Sequence, residues 1–122
     1  MKLRSEYTCP LEITHDIIRG KWKPVILWQL GKESASLSKL KKETRGISEK
    51  MLLEQLKELQ EFDMISKKQY EGYPLKVEYF LTVRGEKILK AITIMQSVGI
   101  ELMLEDHKED LLISKGLIPT KK

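Results

Sequence analysis

The stretch GISEKMLLEQLKELQEFDMI, residues 46–65, decides the fold of this protein. Its leucines Leu52, Leu56 and Leu59 recur at i, i+4 and i+7, which is the spacing of one face of an α-helix. Ser48 stands where that helix would begin, and its hydroxyl can accept a hydrogen bond from the backbone of the first turn. At about 100° per residue, the opposite face carries polar side chains, namely Lys50, Glu54, Lys57 and Glu61. The stretch therefore predicts a helix with one buried face and one charged face.

A second, shorter helix is predicted immediately before this one. Ser36 or Ser38 can cap a segment that contains Leu37 and Leu40, and the chain then turns at Gly46. Two short helices joined by a tight turn with a glycine form a helix-turn-helix. Because the second of these helices has a polar outer face, that face is free to meet a partner.

Two further helices are predicted before the helix-turn-helix. Pro10 is suited to the first turn of one of them, and Gly20 is a natural end for it. Pro24 opens the other, which we expect to end at Gly31. This second helix is nearly all apolar, so it is expected to be buried.

After the helix-turn-helix, the period of the apolar residues changes. Residues 65–70 and 76–81 alternate in the manner of two strands, and the turn formers between them predict a hairpin. Thr82 then caps a helix predicted over 83–105. Its apolar stripe is Ile88, Leu89, Ile92, Met95, Val98 and Leu102, widened by Ala91, Ile94, Ile100 and Met103. This stripe is wider than one small domain would cover, so a second copy of the chain is the expected cover.

Length and composition are those of one globular domain. The chain has 122 residues, of which 41% are hydrophobic and 33% are charged, enough to bury a core without disulfides. No apolar run approaches the roughly 20 residues of a membrane span, and the first residues lack the apolar stretch of a signal peptide. We therefore expect a cytoplasmic protein with no membrane partner, whose ends, 1–8 and 118–122, are mobile.

The charge distribution favours an anionic partner. The net charge is +4 and the isoelectric point is about 9.1, a mild excess that many cytosolic proteins share. All of this excess lies before residue 91, and the remaining residues carry one more acidic than basic side chain. The last part of the chain is therefore expected to have a different role from the rest.

The residues that usually carry catalysis or bind metals are scarce. Cys9 is the single cysteine and the two histidines are far apart, which excludes an internal disulfide and a structural zinc site. No glycine-rich phosphate loop or nucleophile elbow is present. Most of the acidic residues lie at helical spacing on solvated faces, and nothing pairs two of them in an apolar setting that would shift a pKa. We therefore expect no enzyme, no cofactor and no metal.

Four short motifs carry a family resemblance. They are CPLE at 9–12, GKW at 20–22, GISEKML at 46–52, and VEYFLT at 77–82, which is followed by Arg84 and Gly85. In this order they resemble the HxlR branch of winged-helix transcriptional regulators, which are relatives of the MarR proteins. The resemblance covers about residues 9 to 105. It implies a mainly α fold with a small β-hairpin wing that binds DNA as a dimeric repressor or activator.

The resemblance also implies an organisation within one winged helix-turn-helix domain over 1–122. Residues 9–22 would form an N-terminal dimerisation helix and 83–115 the C-terminal dimerisation helices. Between them, 24–82 would bind DNA, with the wing at about 65–81. The side chains assigned to the interface of the homodimer are Leu11, Ile88, Ile92, Met95, Val98 and Leu102.

The partner is expected to be double-stranded DNA with a palindromic operator, because two-fold related subunits read two-fold related sites. The first turns of the recognition helix, 48–62, would reach base edges in the major groove. The residues placed there are Ser48, Lys50, Met51, Glu54 and Gln55. Lys39, Lys42 and Arg45 are expected on phosphates, and Lys67, Lys68, Lys76 and Tyr73 on the backbone or in the minor groove.

Cys9 is a candidate redox sensor. It stands just before Pro10, at a helix start, where the positive end of the helix dipole stabilises a negative group such as a thiolate. Some relatives with a cysteine at this place respond to electrophiles or oxidants. With no second cysteine in the chain, a disulfide must join the partner subunit or a small thiol. The alternative is a cysteine that is fixed by packing or merely tolerated near the N-terminus.

Two other functions stay open. A small-molecule-responsive regulator of the same fold would bind its ligand between the long helix and the DNA-binding core. A winged-helix module for protein interaction would instead carry an exposed apolar patch on the outer face of residues 48–61. No motif identifies the effector.

Overall fold

The computed structural model describes residues 1–120, and over these residues it contains six α-helices and one two-stranded hairpin. Their bounds are α1 Pro10–Ile18, α2 Lys23–Lys32, α3 Leu37–Glu43, α4 Glu49–Glu61, β1 Ile65–Tyr70, β2 Lys76–Leu81, α5 Val83–Glu105 and α6 Glu109–Ser114. The chain forms two compact units, Met1–Leu89 and a second from Lys90 onward. The C-terminal end predicted to be mobile, 118–122, includes residues 121 and 122, which lie outside the described residues. The mainly α fold with a hairpin wing is confirmed.

Four of the predicted helix starts, those of α1, α3, α4 and α5, are confirmed. Pro10 is the first residue of α1. The side-chain oxygens of Ser36, Ser48 and Thr82 each accept a hydrogen bond from the backbone N–H three residues further on, at 3.2, 3.1 and 3.1 Å. These bonds satisfy donors that have no partner inside the first turn of a helix.

The predicted end of α2 was wrong. The helix continues through Gly31 to Lys32, and it begins at Lys23, one residue before Pro24. A Cβ atom at Gly31 would lie 2.5 Å from the Cδ2 atom of Leu89, so the glycine admits a neighbouring side chain and does not mark the end of the helix. The helix is also less buried than expected, because Val25 is exposed.

The N-terminal segment is attached to α1, whereas we expected residues 1–8 to be mobile. Arg4 Nε donates a hydrogen bond to Asp16 Oδ2 at 2.8 Å, and the Tyr7 hydroxyl donates to the same oxygen at 2.7 Å. The Arg4 guanidinium and then the Tyr7 hydroxyl hold the pKa of Asp16 below its usual value. Periodicity does not reveal such contacts, because they join an irregular segment to a helix.

The core of the first unit lies beneath α4. Leu52, Leu56 and Leu59 are at most 1% exposed, as their spacing predicted. Burying an aliphatic side chain of this size stabilises the fold by about 1.5–3 kcal/mol. Around them α2 and α3 pack against β2, and α4 packs against β1. The other fully buried aliphatic residues of this unit are Ile26, Leu27, Leu40, Ile47 and Ile65.

The hairpin has the predicted strands and is tied to the helices. The strands are antiparallel, with Ile65 opposite Leu81 and Tyr70 opposite Lys76. Beyond the hairpin, Ala35 and Tyr79 exchange two backbone hydrogen bonds of 3.0 and 2.8 Å. Because Ala35 directly precedes the cap of α3, these bonds fix that helix to the wing.

The second unit buries only part of the apolar stripe of α5. Ile92, assigned above to the dimer interface, is 5% exposed within one chain and so belongs to a core. Met95, Val98 and Leu102 are between 50% and 62% exposed. Within residues 1–120, no helix combines the length and hydropathy needed to span a bilayer.

The turn from α4 into the wing is held by the start of α5. The Thr82 hydroxyl donates to the carbonyl of Asp63 at 2.6 Å, and Arg84 Nη1 donates to the carbonyl of Phe62 at 3.0 Å. Gly85 lies so close that a Cβ atom there would be 2.0 Å from the carbonyl oxygen of Met64. Only a glycine allows this approach, which gives the Arg84-Gly85 motif a structural reason.

We expect Gly85→Ala to lower the free energy of unfolding by about 2 kcal/mol, because overpacking costs roughly 1–3 kcal/mol and here the neighbour is backbone. Urea denaturation followed by circular dichroism measures the change. Gly99→Ala, in the same helix, is the control, because a Cβ there meets nothing within 4 Å of the chain. Its stability should be unchanged or higher by about 0.5–1 kcal/mol. Equal stability of the two variants would contradict the close approach.

Candidate nucleic-acid interface

The outer face of α4 is a charged surface on a fixed helix. Lys50, Glu54 and Lys57 are exposed, and the leucine face opposite them is buried. Met51, in the first turn, is partly exposed at 36%. The structure therefore brings four of the five predicted base-reading residues, Ser48, Lys50, Met51 and Glu54, to the solvent side of one helix end.

Gln55 is less accessible to solvent than those four. It is half-buried, and its Nε2 atom donates to Met51 Sδ at 3.3 Å. To reach an adenine edge, the amide would exchange this weak bond for bonds to the base. Met51 and Gln55 therefore share one side of the helix and would move together.

Helix α3 and the turn after it supply two cations without an ion pair and one that is paired. Lys42 and Arg45 are exposed, and among residues 1–120 neither belongs to an ion pair. Lys39 is half-buried and pairs with Glu33. A phosphate contact by Lys39 would compete with that carboxylate, so Lys42 and Arg45 are the better-placed members of this predicted group.

The turn between α3 and α4 depends on Gly46. Its φ angle of +92° lies in the left-handed region that favours glycine. A Cβ atom at this glycine would meet Trp22 Cη2 at 3.6 Å, so the indole lies directly beside the turn. Thr44, two residues before Gly46, is buried, and its hydroxyl has no hydrogen-bond partner in the described part of the chain.

The wing presents cations around an aromatic ring. Lys68 Nζ lies 5.0 Å and Lys76 Nζ 5.3 Å from the centroid of Tyr70, within the range of cation–π attraction. Lys67 is exposed on the same strand, and Tyr73 is fully exposed at the tip. Lys68, Tyr70 and Lys76 therefore form one basic, partly aromatic face of the hairpin, whereas Lys67, the residue next to Lys68 in the strand, points to the other face.

Lys76 is partly neutralised by a neighbour on its own strand. Its Nζ atom lies 3.2 Å from Glu78 Oε1. The Ser34 hydroxyl donates a hydrogen bond to Glu78 Oε2 at 3.0 Å. This bond, and to a smaller extent the bond from Lys76, lowers the pKa of Glu78. Because this carboxylate stays ionised, Lys76 is less available to phosphate than Lys67 or Lys68.

Sequence reasoning missed the buried ion pair that anchors α4. Lys23, at the start of α2, is only 5% exposed and pairs with Glu58 in the middle of α4. Removing one partner of such a pair leaves a buried charge, which typically costs about 3–5 kcal/mol. A lysine followed by a proline gives no signal of burial, and only the packing of α2 on α4 reveals it.

The model of a family described as HxlR-like helix-turn-helix matches residues 17–107. The chain belongs to the HxlR family. It is therefore a transcriptional regulator with a helix-turn-helix, and the resemblance to this family is confirmed over a match that includes three of the four motifs, all except CPLE at 9–12.

Relatives of the HxlR-family chain agree with this assignment. A regulatory protein named MalR, from Fusobacterium mortiferum, is 39% identical over 102 residues, which are 83% of this chain and 96% of MalR. The crystal structure of a MarR-family transcriptional regulator from Porphyromonas gingivalis W83 has a TM-score of 0.74 at 39% identity. That alignment covers 82% of this chain and 98% of the solved chain.

A third relative is described as a redox regulator. The structure of HypR in its oxidised form has a TM-score of 0.73 at 30% identity and covers 76% of this chain and 96% of its own. In this HxlR-family chain, Cys9 is exposed and is the residue just before α1. Its carbonyl accepts a hydrogen bond from Glu12 N at 3.0 Å, but its side chain makes no capping bond. The thiol is therefore open to solvent and is not a packed core residue.

Residues 1–120 contain no group of three or more histidine, cysteine or acidic side chains that could hold a metal ion. Trp22 and Trp28 are half-buried, and each has a lysine above its ring. That arrangement is typical of packing at a surface.

Proposed function

We propose that this HxlR-family regulator binds double-stranded DNA as a homodimer and reads its operator with α4. The observation that carries this proposal is the orientation of α4, whose buried leucines hold Lys50, Glu54 and Lys57 outward. A helix with a diameter of about 10–12 Å fits the major groove of B-DNA, which is about 12 Å wide. A module for protein interaction would instead present an apolar patch on this face. The charged side chains therefore favour nucleic acid as the partner.

Contacts with bases and contacts with phosphates have different roles. Ser48, Lys50, Met51, Glu54 and Gln55 would meet base edges, with Met51 suited to a thymine methyl and Gln55 to adenine. Phosphate contacts position the duplex without reading it. Lys39, Lys42 and Arg45 would make such contacts on one side, and Lys67, Lys68, Lys76 and Tyr73 would make them from the wing.

The exposed apolar side chains of α5 support dimerisation. Ile94, Met95, Val98 and Leu102 are each at least half exposed and lie within a few turns of one helix. Contiguous exposed apolar surface of this kind marks an interface. Leu11 on α1 is 73% exposed and would contribute, as would Ile88. In this organisation, DNA is bound by residues 24–82. The two subunits on a palindromic operator are joined through residues 9–22 and 83–115.

Oxidation of Cys9 would regulate this dimer. Two Cys9 thiols, one from each subunit, would form one disulfide and release two protons and two electrons to an oxidant such as a diazene. The diazene would be reduced to the corresponding hydrazine. A low-molecular-weight thiol could replace the second subunit and form a mixed disulfide. The exposed thiol and the redox description of HypR support this proposal.

The salt dependence of binding tests the DNA interface. An operator selected from random DNA should bind about 10³-fold more weakly at 200 mM than at 50 mM salt if six phosphates are contacted. The double variant Lys67→Ala/Lys68→Ala should weaken binding to every sequence and reduce the salt slope. Gln55→Ala should relax the preference at one base pair by about 1–3 kcal/mol with the slope unchanged. Gel shifts over a salt series measure both, and a wild-type slope near zero would contradict the proposal.

The double variant Met95→Glu/Val98→Glu should sediment as a monomer in analytical ultracentrifugation, because two carboxylates would be buried without partners at the interface. It should also lose preference for a palindrome over a single half-site. Thr93→Glu is the control, since residue 93 is exposed and helical periodicity puts it on the side of α5 away from Met95, Val98 and Leu102. The dimer proposal fails if the wild-type chain sediments as a monomer at micromolar concentration.

Diamide treatment should abolish operator binding by the wild-type protein, and a reducing thiol should restore it. Cys9→Ser should bind DNA equally well with and without diamide, because the only thiol is gone. Non-reducing electrophoresis and intact mass distinguish a disulfide between subunits from a mixed disulfide. Loss of binding by the Cys9→Ser protein under diamide would rule out Cys9 as the sensor.

A further inference from the structure

An open cleft of about 510 Å³ runs along one flank of α4. On one side it is lined by the segment between α1 and α2, which we call the α1–α2 junction, residues 19–22, and on the other by side chains of α4. The α4 residues are Met51, Gln55 and Glu58, which helical periodicity puts on one flank, between the buried leucines and the outermost charges. All of these residues belong to the first compact unit.

The junction is attached to α4 at two points. At one point, Trp22 Cη2 lies 3.6 Å from the Cβ position of Gly46, in the turn that leads into α4. At the other, the pair of Lys23 and Glu58 connects the start of α2 to the middle of α4. Because both attachments are buried or half-buried, the junction keeps a defined position beside the recognition helix.

The cleft carries an excess of positive charge. Its two carboxylates are already engaged, since Asp16 accepts hydrogen bonds from Arg4 and Tyr7, and Glu58 pairs with Lys23. Arg19 acts on Asp16 only through a longer-range attraction that helps to lower the pKa of that carboxyl. Lys2 also lines the cleft.

The two junction cations are available to an external anion. Among residues 1–120, the ion pairs within 4 Å include neither Arg19 nor Lys21. Lys21 Nζ lies 4.6 Å from the centroid of the Trp22 ring. Because that indole abuts Gly46, the Lys21 ammonium is held on the side of the molecule where α4 begins.

We infer that Arg19 and Lys21, with Lys2 beside them, bind DNA phosphates at the edge of the major groove that α4 occupies. The inference rests on the proposed function, since it assumes that α4 enters the groove. A helix that fills the groove turns its flanks toward the two backbones, and the flank with Met51 and Gln55 is the one beside these cations. The open, exposed form of the cleft suits an extended polyanion.

Such contacts would position the duplex and would not read it. They would set how deeply the α4 flank enters the groove, and hence whether Gln55 and Met51 reach a base edge. The junction would thus act with the basic residues of α3 and of the wing to bind the backbone on both sides of the recognition helix.

The test compares Arg19→Gln, Lys21→Gln and the double variant with the wild-type protein and with Lys87→Gln. Lys87 is an exposed lysine on α5, in the segment assigned to dimerisation, and no DNA contact is assigned to it. Binding to the selected operator and to unrelated DNA is measured between 50 and 200 mM salt. Each lost phosphate contact should reduce the magnitude of the salt slope by about 0.9, so that the loss of affinity over this range becomes roughly threefold smaller. Both DNAs should be affected alike, and Lys87→Gln should match the wild type.

Arg19→Lys keeps the charge and should retain most of the wild-type slope. Tryptophan fluorescence and thermal unfolding confirm that Trp22 and the fold are unchanged in each variant. If the wild type binds its operator and the double variant keeps the wild-type slope, the junction inference is overturned and the proposed function stands. If the wild type binds no DNA at all, both are overturned.

Discussion

Burial of the leucine face of α4 is the interaction on which the rest of the structure depends. Leu52, Leu56 and Leu59 are removed from water on one side of the helix, and this alone determines which side chains point outward. A helix with this pattern has one orientation that buries its apolar side, because any rotation would expose leucine and bury lysine. The charged outer face of α4, which we propose to read DNA, is therefore a consequence of core packing.

Helix α4 is also held along its length. Its start follows the turn at Gly46, which abuts Trp22, and its middle is paired through Glu58 with Lys23. Its end passes into the wing through a turn that receives hydrogen bonds from Thr82 and Arg84. A surface that reads base edges gains from such rigidity, because few degrees of freedom remain to be ordered when it binds.

The two compact units have different surfaces. The first holds the basic wing, the outer face of α4 and the α1–α2 junction, all of which suit a polyanion. The second exposes apolar side chains on α5, which suit another copy of the chain. Helix α1 carries Cys9 before its first residue and leads at its other end into the junction beside α4. A modification at the thiol and a contact at the DNA would thus be separated by one short helix of the same unit.

The sequence by itself determined the order of the helices and strands, the caps at Ser36, Ser48 and Thr82, the buried leucines and the family. These depend on periodicity and on capping chemistry, which act between residues close together in the chain. Only the tertiary structure decided that Lys23 is buried on Glu58, that Gln55 faces a flank, that α2 continues through Gly31 and that Arg4 and Tyr7 contact Asp16. It also brought Arg19 and Lys21 to the side of α4. These features join segments that are distant in sequence, and no local pattern records which charged side chain will meet which partner.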